Sequence, residues 1–348
     1  MDFELYKVVF AEKAKAEGYT DEEIGILLKD AERFVSQKLP IIYDQEHLAH
    51  VLGFQLPYLM SMTNSQRHFY NTYKIPKQHG GCRQIDQPLP NLKLVQEWIL
   101  DNILTPVHGR MINSAATAFM PGKSLYDHVA CHQGKKMVVA LDLKDFFKNV
   151  KYYCVHDVFS GLGYSNAVAT MLARLCTYRK CLPQGAPTSP MLSNIVFERI
   201  DRLLLGYCSR RDITYTRYAD DMTFSGDNIN VGLLIRHVRY LIGGNYSLNE
   251  EKTKIMGQGN AQFVTGVVVN QFAQVPRSYR NRIRQEVYHI QKNGLDFHFA
   301  HTKITKAWIN KPEIYLNHLI GKINYVLQIN PEDKTFVEYR RFLCGLLK

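Results

Sequence analysis

The chain has 348 residues, 46% of them apolar, and carries 43 Lys and Arg against 32 Asp and Glu, a net charge of +11. Two or three subdomains fit that length; no apolar run reaches a membrane span and Met1-Asp2-Phe3-Glu4 is no signal peptide, so a soluble protein is expected. The seven cysteines, Cys82, Cys131, Cys154, Cys176, Cys181, Cys208 and Cys344, form no CxxC pair, which argues against a zinc site and for reduced thiols, while the positive charge favours a polyanionic partner.

Thr20-Asp21-Glu22-Glu23 reads as a capping box opening a helix through Phe34, with Ile24, Leu27, Leu28 and Ala31 on one face. A second helix is expected from His47 to Phe54, stopped by a break at Pro57. Tyr73-Lys74-Ile75-Pro76-Lys77 and Cys82-Arg83-Gln84-Ile85 flank Gly80-Gly81, the pattern of a hairpin. Lys77 and Arg83 would project from its arms as a clamp for a triphosphate, or simply as an exposed basic hairpin. Leu89 to Leu104 then reads as a helix carrying Leu92, Gln96, Ile99 and Ile103.

His128 and His132 have helical i, i+4 spacing; with no acid or Cys ligand nearby, solvated or RNA-contacting histidines are expected over a metal pair. Met137–Leu141 is an unbroken apolar run, hence a buried strand, and it ends in Asp142. Ser189 and Pro190 suit the N-cap and first turn of a helix with Leu192, Val196, Ile200 and Leu203 as its apolar stripe. Ile213–Tyr218 and Met222–Ser225 read as strands about a tight Ala219-Asp220 turn. This strand, helix and hairpin order predicts an α+β layer with acids at strand ends. From Pro276 onward the pattern is helical, and 13 Lys and Arg face 6 Asp and Glu. Arg277, Arg280, Arg282 and Arg284 in that lobe are candidates for sequence-independent contact with a nucleic-acid backbone.

Asp142, Asp220 and Asp221 could together hold divalent metal, and two such ions suit in-line displacement at phosphorus. Adjacent carboxylates at about 4 Å repel by roughly 4 kcal/mol at an effective dielectric near 20. An exposed turn sheds that cost to solvent, whereas inside a β hairpin a bound cation would relieve it. Asp142 and Asp220 are the stronger candidates for shared ligands, with Asp221 third.

Several ordered motifs between about Tyr70 and Tyr325 resemble those of reverse transcriptases, and within them of bacterial retron reverse transcriptases. Leu141-Asp142-Leu143-Lys144-Asp145-Phe146-Phe147 is similar to the first catalytic motif. Leu182-Pro183-Gln184-Gly185-Ala186-Pro187-Thr188-Ser189-Pro190, followed by Leu192-Ser193-Asn194, resembles the nucleotide-binding loop. Tyr218-Ala219-Asp220-Asp221 resembles the catalytic hairpin and Leu248-Asn249-Glu250-Glu251-Lys252-Thr253 the lysine motif. Val264-Thr265-Gly266 matches a retron triplet, and the final histidine of an Asn-Ala-x-x-His motif matches His132, although His128 and Val129 replace Asn and Ala.

The resemblance implies an α+β right-hand polymerase of fingers, palm and thumb. A helical N-terminal extension would occupy residues 1–45, fingers and palm 46–275, and a basic helical thumb 276–348. It implies two Mg²⁺ ions on Asp142, Asp220 and Asp221. Phe147 would be a steric gate against the ribose 2′-OH, while Phe146 is assigned to the core. Gln184 and Gly185 would lie over the incoming nucleotide, with Lys77, Arg83 and Asp145 also at the nucleotide, and Lys252 would donate a proton to pyrophosphate or stand beside it as a cation. Phe263-Val264-Thr265-Gly266 would grip the primer.

The implied reaction copies part of a structured noncoding RNA of msr-msd type, using deoxynucleoside triphosphates. Priming from a 2′-OH would leave a branched RNA–DNA (msDNA). An effector protein, antiphage defence and a cytoplasmic location come with the resemblance. The residues after the palm leave no room for an appended RNase H, integrase, endonuclease or maturase region, so RNA removal would fall to another protein. Another defence-associated reverse transcriptase with different priming is the alternative, as is a catalytically idle RNA-binding scaffold. Intact Asp142, Asp220, Asp221, Gln184 and Lys252 argue against the last.

Overall fold

A computed structural model describes residues 3–76, 80–301 and 311–347. The chain divides into two compact units: Met1–Pro121 with Leu143–Leu204 and Val238–Ser247, and Gly122–Asp142 with Leu205–His237 and Leu248–Lys348. Among the described residues no helix is long and apolar enough to cross a membrane.

The first unit is mostly helical around one apolar core that includes Phe34, Leu48, Leu59, Leu92, Ile99, Phe159, Leu172 and Leu192. Helix Asp21–Ser36 starts at the expected capping box: Thr20 Oγ1 accepts from Glu23 N at 3.3 Å, and Thr20 N donates to Glu23 Oε2 at 2.9 Å. Pro57 differs from expectation. It stands in the first turn of a new helix, Leu56–Asn64, after Gln45–Val51 has ended, because a missing N–H costs nothing there. The helix expected through Leu104 is α-helical over Pro90–Ile99 and continues as a π turn over Leu100–Leu104. Its buried Gln96 donates to the Tyr70 hydroxyl at 2.9 Å and to Leu175 O at 2.7 Å, so the polar residue on the apolar face ties elements together.

Strands β1 (Tyr70–Pro76) and β2 (Cys82–Pro88) form the expected antiparallel hairpin, with Ile75 opposite Arg83. Gly80 and Gly81 both adopt positive φ near its turn. Helix Ser189–Ser209 is the longest in the chain at 21 residues. Its buried side differs from the expected stripe: Leu203 is 47% exposed, whereas Leu192, Phe197 and Leu204 are buried beside Ser193, Asn194 and Asp201. Counting only apolar residues misplaced that face, since polar side chains occupy part of it; Asn194 Nδ2, for one, donates to Ala118 O at 2.8 Å.

The second unit is built on a four-stranded antiparallel sheet in which β3 (Met137–Asp142) lies between β5 (Asp221–Gly226) and β6 (Lys254–Gly257), with β4 (Thr214–Tyr218) outside β5. β3 is nearly all apolar because an inner strand is covered by neighbours along both edges; Val138, Val139 and Leu141 are almost fully buried. Short strands β7 (Phe263–Val264) and β8 (Val267–Val268) make a second hairpin. Helices Arg277–Asn293, Leu295–His301, Pro312–Ile329 and Lys334–Gly345 follow, and their apolar faces share a core with Val138, Val264 and Val267.

Candidate active site

The three acids meet through strand register. β3 pairs with β5 so that Asp142 is opposite Asp221, and β4 pairs with β5 so that Tyr218 is opposite Asp221. Only Ala219 and Asp220 remain for the turn. Ala219 takes φ +58°, an uncommon conformation for a residue with a Cβ, which stores on the order of 1 kcal/mol. The fully buried Arg217 holds it there, Nη1 donating to Ala219 O at 2.9 Å.

Asp142 is only 4% exposed. Its backbone carbonyl accepts from Asn249 N at 2.8 Å, and its Oδ2 accepts from Lys252 Nζ at 2.7 Å. That contact shows the carboxylate taking up a cation on the side the lysine motif approaches. Burial, then the charges of Asp220 and Asp142, push the Asp221 carboxyl up to about 6, with Lys252 opposing. The hydrogen bond to Asp142 raises Lys252 in turn. Among the described residues no group of three His, Cys, Asp or Glu side chains is already gathered in metal-ligating geometry. The donor set still fits a hard divalent cation: oxygen ligands only, mutually repelling, one already paired with an ammonium. Lys252 is 58% exposed along its side chain and free to withdraw from Asp142.

Other candidate residues lie in the first unit. Gln184 O accepts from Asp86 N of β2 at 2.8 Å. Gly185 has φ +124°, and a Cβ there would sit 3.0 Å from Ile85 Cγ2 and 3.2 Å from Asp86 O, so glycine is required both by conformation and by close approach. The loop and the hairpin bearing Arg83, which is exposed, are therefore docked together. Lys77 lies outside the described residues. Asp145 precedes the short helix Phe146–Asn149 with φ +49° and stands 3.7 Å from Lys148. Phe146 is buried edge-to-face on Phe197, as expected of a core residue, while Phe147 is half-buried at the core's edge.

In the second unit, Thr265 (φ +47°) and Gly266 (φ +82°) form the tight turn of the β7–β8 hairpin. Val264 is fully buried, which leaves Thr265 and Gly266 as what the turn presents. Arg277 and Arg282 are exposed on their helix. Arg280 Nε donates to Val275 O at 3.0 Å, and the Arg284 guanidinium lies 5.4 Å from the Phe336 ring centroid, so these two also serve the unit's own packing.

A model of the family "Reverse transcriptase (RNA-dependent DNA polymerase)" matches residues 75–269. The chain is 33% identical to the retron Mx65 reverse transcriptase of Myxococcus xanthus over 90% of its own length and 75% of that protein's. It belongs to the retron reverse transcriptases. It is also 33% identical to the retron Ec86 reverse transcriptase of Escherichia coli (64% of this chain, 70% of that one) and to the retron Mx162 reverse transcriptase of M. xanthus (64% and 53%). This retron reverse transcriptase is thus an RNA-directed DNA polymerase, of a family that works with divalent metal ions.

Sequence reading missed Arg217, whose lone basic side chain in a strand gave no sign of its burial. It also misjudged the two histidines. His128 and His132 of this reverse transcriptase are neither solvated nor set for RNA; both are fully buried. His132 Nδ1 is 2.7 Å from Ser225 Oγ and its Nε2 2.7 Å from Thr216 Oγ1, while His128 Nδ1 is 2.8 Å from the same Thr216 hydroxyl. The pair thereby joins helix Leu125–Ala130 and the residues after it to the two strands that carry the catalytic hairpin.

Burial pushes His128 down to about 4; burial, then the charges of His128 and Lys135, push His132 down to about 3. Both are neutral in the fold at pH 7, whereas in the unfolded chain they take up protons near pH 6.5. Stability should therefore fall as pH drops below about 6.5, by up to ~1.4 kcal/mol per pH unit for each histidine. Asp221 acts in the opposite sense, since a raised carboxyl gains a proton in the fold first, and offsets part of this below pH 6. Denaturant melts of His132→Gln without added divalent metal should show lower stability at pH 7 but a shallower decline to pH 5. Parallel profiles for variant and wild type would contradict a buried neutral His132.

Proposed function

We propose that this polymerase copies part of a structured msr-msd type RNA into DNA from a 2′-OH primer, giving a branched RNA–DNA, with Asp142, Asp220 and Asp221 holding two Mg²⁺ ions. The observation that carries the catalytic part is the β3–β5 register, which sets Asp142 opposite Asp221 with Asp220 in the adjoining turn. Bound there, the ions would activate the primer hydroxyl and neutralise the leaving pyrophosphate. Lys252, withdrawn from Asp142, supplies a protonated ammonium for that leaving group; its raised pKa keeps it charged at neutral pH.

Gln184 and Gly185 offer a fixed backbone surface to the incoming nucleotide, and Arg83 with Lys77 a positive hairpin for its triphosphate. Phe147 excludes a ribose 2′-OH by collision, and Asp145 belongs to the same nucleotide site. The Thr265-Gly266 turn grips the primer. Arg277 and Arg282, the exposed members of the arginine series, hold duplex by its phosphates, with Arg280 and Arg284 contributing field from behind. In this reading residues 1–45 form the extension, 46–275 fingers and palm, and 276–348 the thumb. The protein works in the cytoplasm with an effector protein in antiphage defence, an assignment supported by its kinship to retron enzymes alone.

Asp220→Asn should reduce primer extension by at least a thousandfold in Mg²⁺ while RNA affinity changes less than about twofold. The change removes a ligand charge at nearly constant volume, and affinity rests on Lys and Arg. Extension near the wild-type rate would remove Asp220 from the catalytic set.

Branching has its own test. DNA copurified with the protein should carry a 2′-linked guanosine at its 5′ end. It should resist 5′-end labelling, keep a short RNA stub after RNase, and shift on a gel after debranching enzyme. A free 5′-phosphate, or a DNA joined to a protein hydroxyl, would overturn the priming scheme and leave the polymerase assignment standing.

A further inference from the structure

Beyond the primer-gripping turn, the chain of the second unit folds into a bend that no step of the polymerase reaction uses. Gln258, Val268, Asn270, Gln271, Phe272 and Gln274 line an open cleft of about 520 Å³. That is the size of small-ligand sites in general. Its frame is rigid. Val268 and Gln274 exchange both backbone hydrogen bonds at 2.9 Å, and Val269 N donates to Gln262 O at 3.0 Å. Asn270 is consumed in building the bend, donating to Gln258 O and Asn260 O and accepting from Gln262 N. Ala273 N donates to Gln133 Oε1 at 2.9 Å.

This frame buries Val269, Ala273 and Val275 and holds Phe272 outward, 56% exposed. Exposure alone carries nothing, since single apolar side chains commonly face water and Tyr240 is more exposed at 81%. Phe272 differs in its surroundings. Three glutamines border the same cleft, and the Oε1 of Gln274 is buried there without a hydrogen-bond partner. A buried acceptor left unmade costs about 1–3 kcal/mol, so it is a place where an incoming N–H donor gains more than it would at an open surface.

The lining also excludes one class of ligand. None of the six residues is charged, so the cleft offers nothing to a phosphate. What it offers is a flat aromatic face, an orphan acceptor, and amides that both donate and accept. Every nucleobase has a π face and an N–H donor on its pairing edge, and base–aromatic stacking tolerates any sequence.

We propose that the Phe272–Gln274 cleft takes one unpaired nucleobase, stacked on Phe272 with an N–H donated to Gln274 Oε1. The base belongs to a single-stranded segment of the RNA or of its DNA copy, so the inference rests on the polymerase reading. Its effect is to anchor a strand by a base where the basic helices anchor by phosphate.

Fluorescence anisotropy with three labelled probes tests it: a (U)12 RNA, a (dT)12 DNA and a 12-nucleotide abasic strand. Phe272→Ala should weaken the RNA, the DNA or both by about tenfold, the size of one stack, with the slope of affinity against salt unchanged. Loss on RNA alone identifies the template as the source, and loss on DNA alone the product. Phe272→Trp should restore binding, Gln274→Met should weaken it severalfold, and the abasic strand should bind all variants alike. Equal binding of wild type and Phe272→Ala to both base-bearing strands overturns the cleft, as does an equal loss on the abasic strand. The polymerase reading is scored separately by wild-type extension of a primed RNA; its failure there would remove that reading as well.

Discussion

Antiparallel pairing of β3 with β5 is the constraint on which the rest of the second unit depends. It places a 4%-exposed Asp142 against Asp221, with Asp220 one residue away. Carboxylates at such separations repel by several kcal/mol unless a cation intervenes. Asp221 registers the strain as a carboxyl raised to about 6, and Lys252 relieves part of it through its 2.7 Å contact with Asp142. A fold that gathers like charges in a sheet interior is costly, and it is kept because the same field draws divalent metal.

Holding that arrangement takes buried polar chemistry on both sides of the turn. Arg217 fixes the Ala219 carbonyl from below. The His128, His132, Thr216 and Ser225 network locks β4 and β5 behind the acids, each contact 2.7–2.8 Å long. Such networks specify one arrangement only when fully satisfied, and neutral histidines suit this because burial makes their charged form unfavourable. In the first unit the same economy appears at Gly185, where absence of a side chain lets the loop approach Ile85 and Asp86.

What the sequence disclosed followed from locality. The Thr20 capping box, the Gly80-Gly81 hairpin, β3 and the two-residue turn before Asp221 are decided by neighbours a few residues apart, and their patterns were legible. The order of Asp142 and the Asp220-Asp221 pair was legible for the same reason, since each closes a strand. The histidines were not, because Thr216 and Ser225 lie 84 and 93 residues from His132 and no spacing rule reaches that far. Leu203 was misplaced because apolar periodicity assumes that a buried face is apolar, while Ser193, Asn194 and Asp201 are buried on this helix. Arg280 and Arg284 read as surface charge, yet part of their length is spent on Val275 and Phe336.

Direct measurement of Mn²⁺ as a Mg²⁺ surrogate, by electron paramagnetic resonance on the protein without nucleic acid, bears most closely on the carboxylate site. Wild type should bind Mn²⁺ saturably. Asp142→Asn and Asp221→Asn should each weaken binding by tenfold or more, since each removes a ligand charge. Lys252→Gln should bind at least as tightly as wild type, because the competing ammonium beside Asp142 is gone. Equal Mn²⁺ affinity in wild type, Asp142→Asn and Asp221→Asn would show that the three carboxylates are not a cation site.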